Sequence, residues 1–253
     1  MHSTEEKLEA FKRLLDVMDE LREKCPWDRE QTLESLRNLT IEETYELADA
    51  IMDQDLEEIR KELGDLMLHI VFYSKIGSEK RAFDIADVLN GVCDKLVFRH
   101  PHVFGEQKVK DSVEVLENWE DLKLKEGNRS VLSGVPVSLP ALIKSHRIQD
   151  KVRAVGFDWD EKEQVWDKVT EEINEVKYEL INGQEKEKME DEIGDLLFSV
   201  VNAARLYDIE PETALERTNR KFISRFKYLE KVAGERGRSL REMSLDEMEA
   251  IWQ

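Results

Sequence analysis

Eight carboxylates stand out for their spacing. Glu172 and Glu175 are three residues apart, and Glu192 and Asp195 repeat that step twenty residues later. Glu43 and Glu46, followed by Glu62 and Asp65, do the same in the first half of the chain. Three residues is nearly one helical turn, so each pair falls on one side of a helix. Grouped carboxylates repel one another and resist burial, so something of opposite charge must sit among them. Oxygen-only ligands suit a hard cation, Mg²⁺ or else Mn²⁺. Mg²⁺ keeps several waters and completes its shell with substrate phosphates, so the expected chemistry is metal-assisted work on phosphate esters or anhydrides. A single Glu-Glu-x-x-Glu would read as a solvated acidic face. The paired second motif and its recurrence argue against that. A di-iron centre wants Glu-x-x-His on two helices; Glu62 and Glu192 are each followed at that step by Asp instead.

Basic and aromatic residues recur in the same order. Lys221 and Arg225 are four apart, as are Lys95 and Arg99. A lysine point charge and an arginine fork both suit phosphate oxygens. Lys168 lies one turn before Glu172 and Lys188 one turn before Glu192, so both are candidates for phosphate contact. Trp252 either caps the core or stacks on a base. His100-Pro101-His102 has no counterpart in the second half and reads as a structured loop, and Cys25 and Cys93 as buried or partly buried thiols. The chain contains no Gly-x-x-x-x-Gly-Lys loop, no Gly-x-Ser-x-Gly elbow and no His-Glu-x-x-His.

Helical periodicity supplies the elements that hold these groups. Helices are expected over residues 5–24, 31–52, 57–76, 83–98, 111–126, 140–154, 161–182, 185–206, 211–233 and 244–252. Leu47, Ala48 and Ile51 form one apolar stripe; Leu63, Leu66, Met67 and Ile70 form the next. In the second half the stripes are Val165, Val169, Ile173, Val176 and Leu180, then Ile193, Leu196, Leu197, Val200 and Ala204. Each stripe is flanked by its carboxylates, so packing two stripes together gathers four acids at one edge of the interface. Matched motifs lie 126 to 133 residues apart, the mark of a tandem duplication. Breakers cluster from Gly127 to Pro140, with a weak strand signal at Val131–Val137. The expected organisation is a domain over 1–126, a linker over 127–140 and a domain over 141–253, all-α.

Composition narrows the partners. Of 253 residues, 57 are acidic and 38 basic, a formal charge of −19. Such a chain is a poor non-specific binder of nucleic acid. With only 11 Gly and 5 Pro, a many-stranded sandwich lacks turns. Two cysteines make neither a disulfide framework nor a zinc site. The first residues lack the apolar segment of a signal peptide and no run reaches the ~18 apolar residues of a membrane span, so a cytoplasmic protein is expected.

Glu-Glu-x-x-Glu followed by Glu-x-x-Asp, present twice, resembles the MazG family of nucleoside triphosphate pyrophosphohydrolases. Cys25-Pro26-Trp27-Asp28, Phe98-Arg99-His100-Pro101-His102-Val103-Phe104-Gly105 and Val155-Gly156-Phe157-Asp158-Trp159 extend the resemblance over nearly the whole chain. It implies two tandem all-α domains whose four-helix-bundle-type active sites are completed by homodimerisation. It implies Mg²⁺-dependent hydrolysis of nucleoside triphosphates, ribo- and deoxyribo-, to monophosphate and pyrophosphate. By matching position, Glu172, Glu175, Glu192 and Asp195 resemble the metal ligands. Lys221, Arg225, Trp252 and parts of Lys168–Glu172 and Lys188–Asp191, Asp191 included, resemble the nucleotide contacts. Glu43, Glu46, Glu62 and Asp65 fit the metal pattern equally well. Thr44, His69 and the longer stretch between Asp65 and Lys95 depart from the second half. In the expected mechanism a water is made acidic by the ion or deprotonated by a nearby carboxylate, Glu171 being the candidate base, and Lys221 and Arg225 stabilise developing charge. The competing readings are an enzyme restricted to one nucleotide, and a helical sensing module that binds nucleotides without turnover.

Overall fold

The computed structural model describes residues 1–111, 114–115, 130–183 and 185–252. Among them there are helices and turns and no strand. The chain divides into two compact units, Met1–Lys108 and Val109–Gln253. No helix among the described residues is long and apolar enough to cross a membrane.

The first unit contains α1 (Thr4–Lys24), α2 (Pro26–Glu30), α3 (Leu33–Asp53), α4 (Leu56–Glu79), α5 (Ile85–Arg99) and α6 (Pro101–Phe104). Local chemistry sets the boundaries. Ser3 and Glu6 form a capping box at the start of α1, and Thr32 and Ser35 form one at the start of α3. Between α3 and α4 the chain turns in two residues: Gln54 takes the left-handed conformation at φ 56°, and Asp55 caps the backbone N–H groups of Glu57 and Glu58. So short a connection makes the pair antiparallel. Met18, Leu36, Val71, Phe72 and Ile76 form a closed core, with Phe11, Leu14, Leu15, Leu33, Leu39, Leu68 and Tyr73 packed around it. Arg22 locks the α1–α2 corner. Its Nη1 donates to the carbonyls of Asp28 and Gln31, while Nε and Nη2 grip Glu79 at 2.9 and 2.5 Å.

The second unit contains α7 (Ala141–Arg153), α8 (Val165–Asn182), α9 (Lys186–Leu206), α10 (Pro211–Glu235) and α11 (Leu245–Trp252), with 3₁₀ turns at Lys162–Gln164 and Leu240–Glu242. The pair α8–α9 makes the most extensive contact, and α7 packs against α9 and α10. The buried core here is smaller: Val165, Val169 and Ala203, with Ile173, Leu196 and Leu206 around them. After α7 the backbone turns through Gly156 at φ 84°, a conformation that suits glycine. Arg205, itself buried, then holds Asp158 with Nη1 and Nη2 at 3.0 and 2.5 Å, and its Nε and Nη2 also donate to Asn202 Oδ1.

Four sequence expectations need correction. The strand signal at Val131–Val137 is a run of turns closed by local bonds, because Gly134 at φ 79° and Pro136 break an extended ladder. The His100-Pro101-His102 loop is the start of α6, nucleated by Pro101 at its first position, with the His100 carbonyl accepting from Val103 and Phe104. Cys93 is exposed, because α5 buries none of its residues; Cys25 is partly buried. The apolar stripes are wider than the interfaces within each pair. Leu196 packs inward, but Ile193, Leu197 and Val200 face outward, as do Ile51, Leu63, Met67 and Ile70 in the first unit. The helix expected over 111–126 and the linker start at 127–129 lie outside the described residues, except for 111 and 114–115.

Phe72 is buried beneath the Arg22 guanidinium, whose Cζ lies 5.5 Å from the ring centroid. Phe72→Ala should destabilise the first unit by about 3–5 kcal/mol in a denaturant melt. A loss below about 1 kcal/mol would show that this core tolerates a cavity and is not close-packed.

Candidate active site

Two helix pairs bring carboxylates together in the same way. In the first unit α3 contributes Glu43 and α4 contributes Glu62 and Asp65, and oxygens of the three lie within 4.8 Å of one another. In the second unit α8 contributes Glu172 and α9 contributes Glu192 and Asp195, within the same limit. Glu46 and Glu175 are one turn further along their helices. They stand outside these trios but are close enough to act on them electrostatically.

The crowding shows in the titration of the acids. Burial raises the Glu192 carboxyl above its ordinary range, and the charges of Glu175, Asp195 and Glu172 raise it further. Glu43 is raised by burial and then by Asp65, Glu46 and Glu62. Glu46 is raised by burial, then by Glu62, Glu42, Asp65 and Asp49. One cation answers part of this charge in the second unit. Lys168 Nζ lies 2.6 Å from Glu172 Oε1 and 3.2 Å from Glu171 Oε1, and its own proton is held well above the usual lysine range, chiefly by the bond to Glu172.

The donor set fits a divalent cation. Glu172 is 4% exposed; its Oε2 is buried and has no hydrogen-bond partner among the described residues. Glu62 Oε2 is in the same position in the first unit. A buried carboxylate oxygen without a donor is costly. Each of these stands in a trio of acids, where a metal ion would satisfy it.

The surroundings of the two trios differ. Beside Glu172 and Asp195 opens a cavity of about 720 Å³, within the range of small-molecule sites. Its walls come from α7, α8, α9 and the loop through Phe157, Asp158 and Trp159. In the first unit, α3 and α4 are tied by a 2.6 Å bond between Thr40 and Tyr73, and the core formed by Met18, Leu36 and Phe72 borders a smaller cavity of about 250 Å³ lined by Met18, Val71 and Ser74. His69, one turn after Asp65, is buried, and its Nδ1 has no hydrogen-bond partner among the described residues; burial lowers its proton affinity, and Asp65 partly offsets this. Ser199 occupies the corresponding place in the second unit, lining the cavity.

The remaining candidates spread over neighbouring surfaces. Lys221 and Arg225 are exposed on α10. Trp252 packs on Phe222 with ring centroids 5.0 Å apart, and the Arg225 guanidinium carbon lies 5.8 Å from the Trp252 ring. Trp252 thus belongs to an aromatic and cationic cluster, which the described hydrogen bonds and ion pairs do not connect to the acidic trio. Lys188 pairs with Glu185 at 3.2 Å, and Asp191 is exposed. Lys95 is exposed on α5 and Arg99 is partly buried at its end. Sequence reading passed over Gln149, Asn202 and Arg205 on the cavity wall. The available signal was the Val155–Trp159 stretch, whose glycine turn and paired aromatics form that wall.

Comparison with known proteins agrees with this duplicated geometry. The pattern of the MazG nucleotide pyrophosphohydrolase domain matches residues 31–104 and again 161–229. The nucleoside triphosphate pyrophosphohydrolase of Escherichia coli (strain K12) is 43% identical over 249 residues, which is 95% of each chain. The Thermotoga maritima protein called nucleoside triphosphate pyrophosphohydrolase/pyrophosphatase MazG is 39% identical over 248 residues, 96% of this chain and 94% of that one. The uncharacterized protein YabN of Bacillus subtilis is 44% identical over 255 residues, 98% of this chain but 52% of its own length. Each matched stretch contains one carboxylate-bearing helix pair, and the chain belongs to the MazG nucleotide pyrophosphohydrolase family.

Proposed function

We infer that this chain hydrolyses nucleoside triphosphates to the monophosphate and pyrophosphate, and that its second half carries the reaction. The observation that carries this reading is the 720 Å³ cavity opening onto Glu172 and Asp195 of the acidic trio. Phosphate chemistry and room for the rest of a nucleotide thus meet in one place. The names of the E. coli and T. maritima relatives support the same activity.

In this reading Glu172, Glu192 and Asp195, with Glu175 adjoining, hold Mg²⁺, and Mn²⁺ is the natural substitute. When bound, the ion neutralises phosphate charge and makes a water molecule more acidic. Lys168 holds one oxygen of Glu172 and Glu171 in place and faces the cavity as a cation for phosphate. Glu171, exposed beside it, is the candidate base for the attacking water. Lys221, Arg225 and Trp252 supply further nucleotide contacts, with Lys188 and Asp191 at the start of α9. Glu43, Glu46, Glu62 and Asp65 hold an ion in the first half, with Lys95 and Arg99 as its basic pair. The larger cavity beside the second trio favours catalysis there and a structural role for this one. The chain acts as a homodimer in the cytoplasm. Support for the dimer comes from the outward apolar residues of α9, Ile193, Leu197 and Val200, and of α10, Phe222, Ile223 and Phe226.

Glu172→Gln keeps the shape and removes the charge. It should lower metal-dependent kcat roughly 100-fold or more, while Glu43→Gln keeps most of the activity. Full activity in Glu172→Gln would exclude the second-half site, and loss in Glu43→Gln alone would move the reaction to the first half.

Metal should also stabilise the fold in a pH-dependent way. Glu43, Glu46 and Glu192 have raised carboxyl pKa values when folded, so the metal-free protein is favoured while they are protonated. It loses stability as pH rises through those values, and a divalent cation offsets that loss. Mg²⁺ should therefore raise Tm at about pH 7, and the increment should shrink towards about pH 5. A pH-independent increment in thermal melts would count against carboxylate ligation.

A further inference from the structure

The cavity beside the second trio contains two amides whose orientation is fixed by other groups. Gln149, on α7, is 4% exposed; its Nε2 donates to the Phe198 carbonyl at 2.9 Å. That bond leaves Oε1 as a buried acceptor with no partner among the described residues. Asn202, one turn beyond Phe198 on α9, is fixed the other way round. Its Oδ1 accepts from Arg205 Nε and Nη2 at 3.0 and 2.8 Å, and no described hydrogen bond uses its Nδ2. Arg205 is in turn held by Asp158. Of the residues lining the cavity, Gln149 thus carries a committed acceptor, buried in the wall, and Asn202 a committed donor, with the rings of Phe157, Trp159 and Phe198 lining the same space.

We propose that Gln149 and Asn202 read the hydrogen-bonding edge of the nucleobase, which lies among those aromatic rings while the triphosphate reaches the Glu172–Glu192–Asp195 trio. This rests on the pyrophosphohydrolase reading of the same site and adds the element that selects for a base. The spacing agrees with it. Asp195 and Asn202 are seven residues apart on one helix, about 10 Å along the axis, a span of the order of the ribose and α-phosphate that separate a base edge from its bridging phosphates. All the common bases carry a donor next to an acceptor on the Watson–Crick edge: the amine and ring nitrogen of adenine and cytosine, the carbonyl and ring N–H of guanine and uracil. One fixed acceptor and one fixed donor therefore favour a nucleotide over a triphosphate that lacks a base, and, because adenine and cytosine present the pair in the opposite order to guanine and uracil, a base of one set must turn over relative to the other to meet both.

The test compares nucleoside triphosphates with ribose 5-triphosphate, which has the same phosphates and no base. Wild type, Gln149→Met and Asn202→Asp are assayed with Mg²⁺; the Asp variant keeps an acceptor for Arg205 and removes the donor. Binding of a non-hydrolysable nucleoside triphosphate is measured by calorimetry alongside. The wild type should prefer the nucleotide, and each variant should reduce that preference in kcat/KM roughly tenfold, mainly through KM. An equal fall on both substrates would make the two residues structural and overturn the proposal. So would an unchanged preference, or a wild type that uses ribose 5-triphosphate equally well. Absence of turnover by wild type would refute the pyrophosphohydrolase reading instead. Calorimetry would then decide base recognition alone, supported by weaker binding in both variants and overturned by unchanged binding.

Discussion

Like charges crowded at a helix-pair interface are the constraint on which the rest of the structure depends. Carboxylate oxygens from three side chains within 4.8 Å of one another do not coexist ionised without a cation or a cost in stability. Everything around each trio holds them in place against that repulsion. The antiparallel pairs α3–α4 and α8–α9 keep the registers, and side-chain caps from Thr32 and Asp55 fix where α3 and α4 start. Core packing then prevents the pairs from separating. The repulsion is therefore stored in the fold, available to a divalent ion and, through it, to the phosphates of a substrate.

The two units share one plan and differ around it. In the first, Met18, Leu36, Val71, Phe72 and Ile76 form the buried core, and Arg22 ties the α1–α2 corner to Glu79. In the second, the buried core is reduced to Val165, Val169 and Ala203, and the space near the pair is a cavity. There the bidentate arginine is Arg205, and it holds the Asp158 loop over that cavity. A duplicated half can thus keep its acids and differ in the space beside them.

The helices and the acids were legible in the sequence because both depend on local spacing. A 3.6-residue period sets the helices, and three-residue steps put Glu172 with Glu175 and Glu192 with Asp195. Repetition made the assignment stronger than any one motif. Glu175 and Glu46 fall outside the trios because helical spacing fixes a face and leaves the reach of each side chain to the packing. The outward half of each apolar stripe was invisible for a related reason: periodicity shows that a face is apolar, and says nothing about how many neighbours cover it. Gln149 and Asn202 were illegible because an amide's role depends on which partner fixes it, here the Phe198 carbonyl and Arg205, both supplied by tertiary contact. Short elements such as Pro26–Glu30 and Pro101–Phe104 carry too few residues to show a period.

The central claim is that a carboxylate-held cation beside a nucleotide-sized cavity cleaves between the α- and β-phosphates. Phosphorus NMR of the reaction, run with a nucleoside triphosphate with and without Mg²⁺, tests it most directly. The account predicts monophosphate and pyrophosphate in equal amounts, formed only when the metal is present. Diphosphate with inorganic phosphate would place the cleavage at the other bond and contradict the site as described; product formed equally well in the presence of a chelator would contradict the role given to the acids.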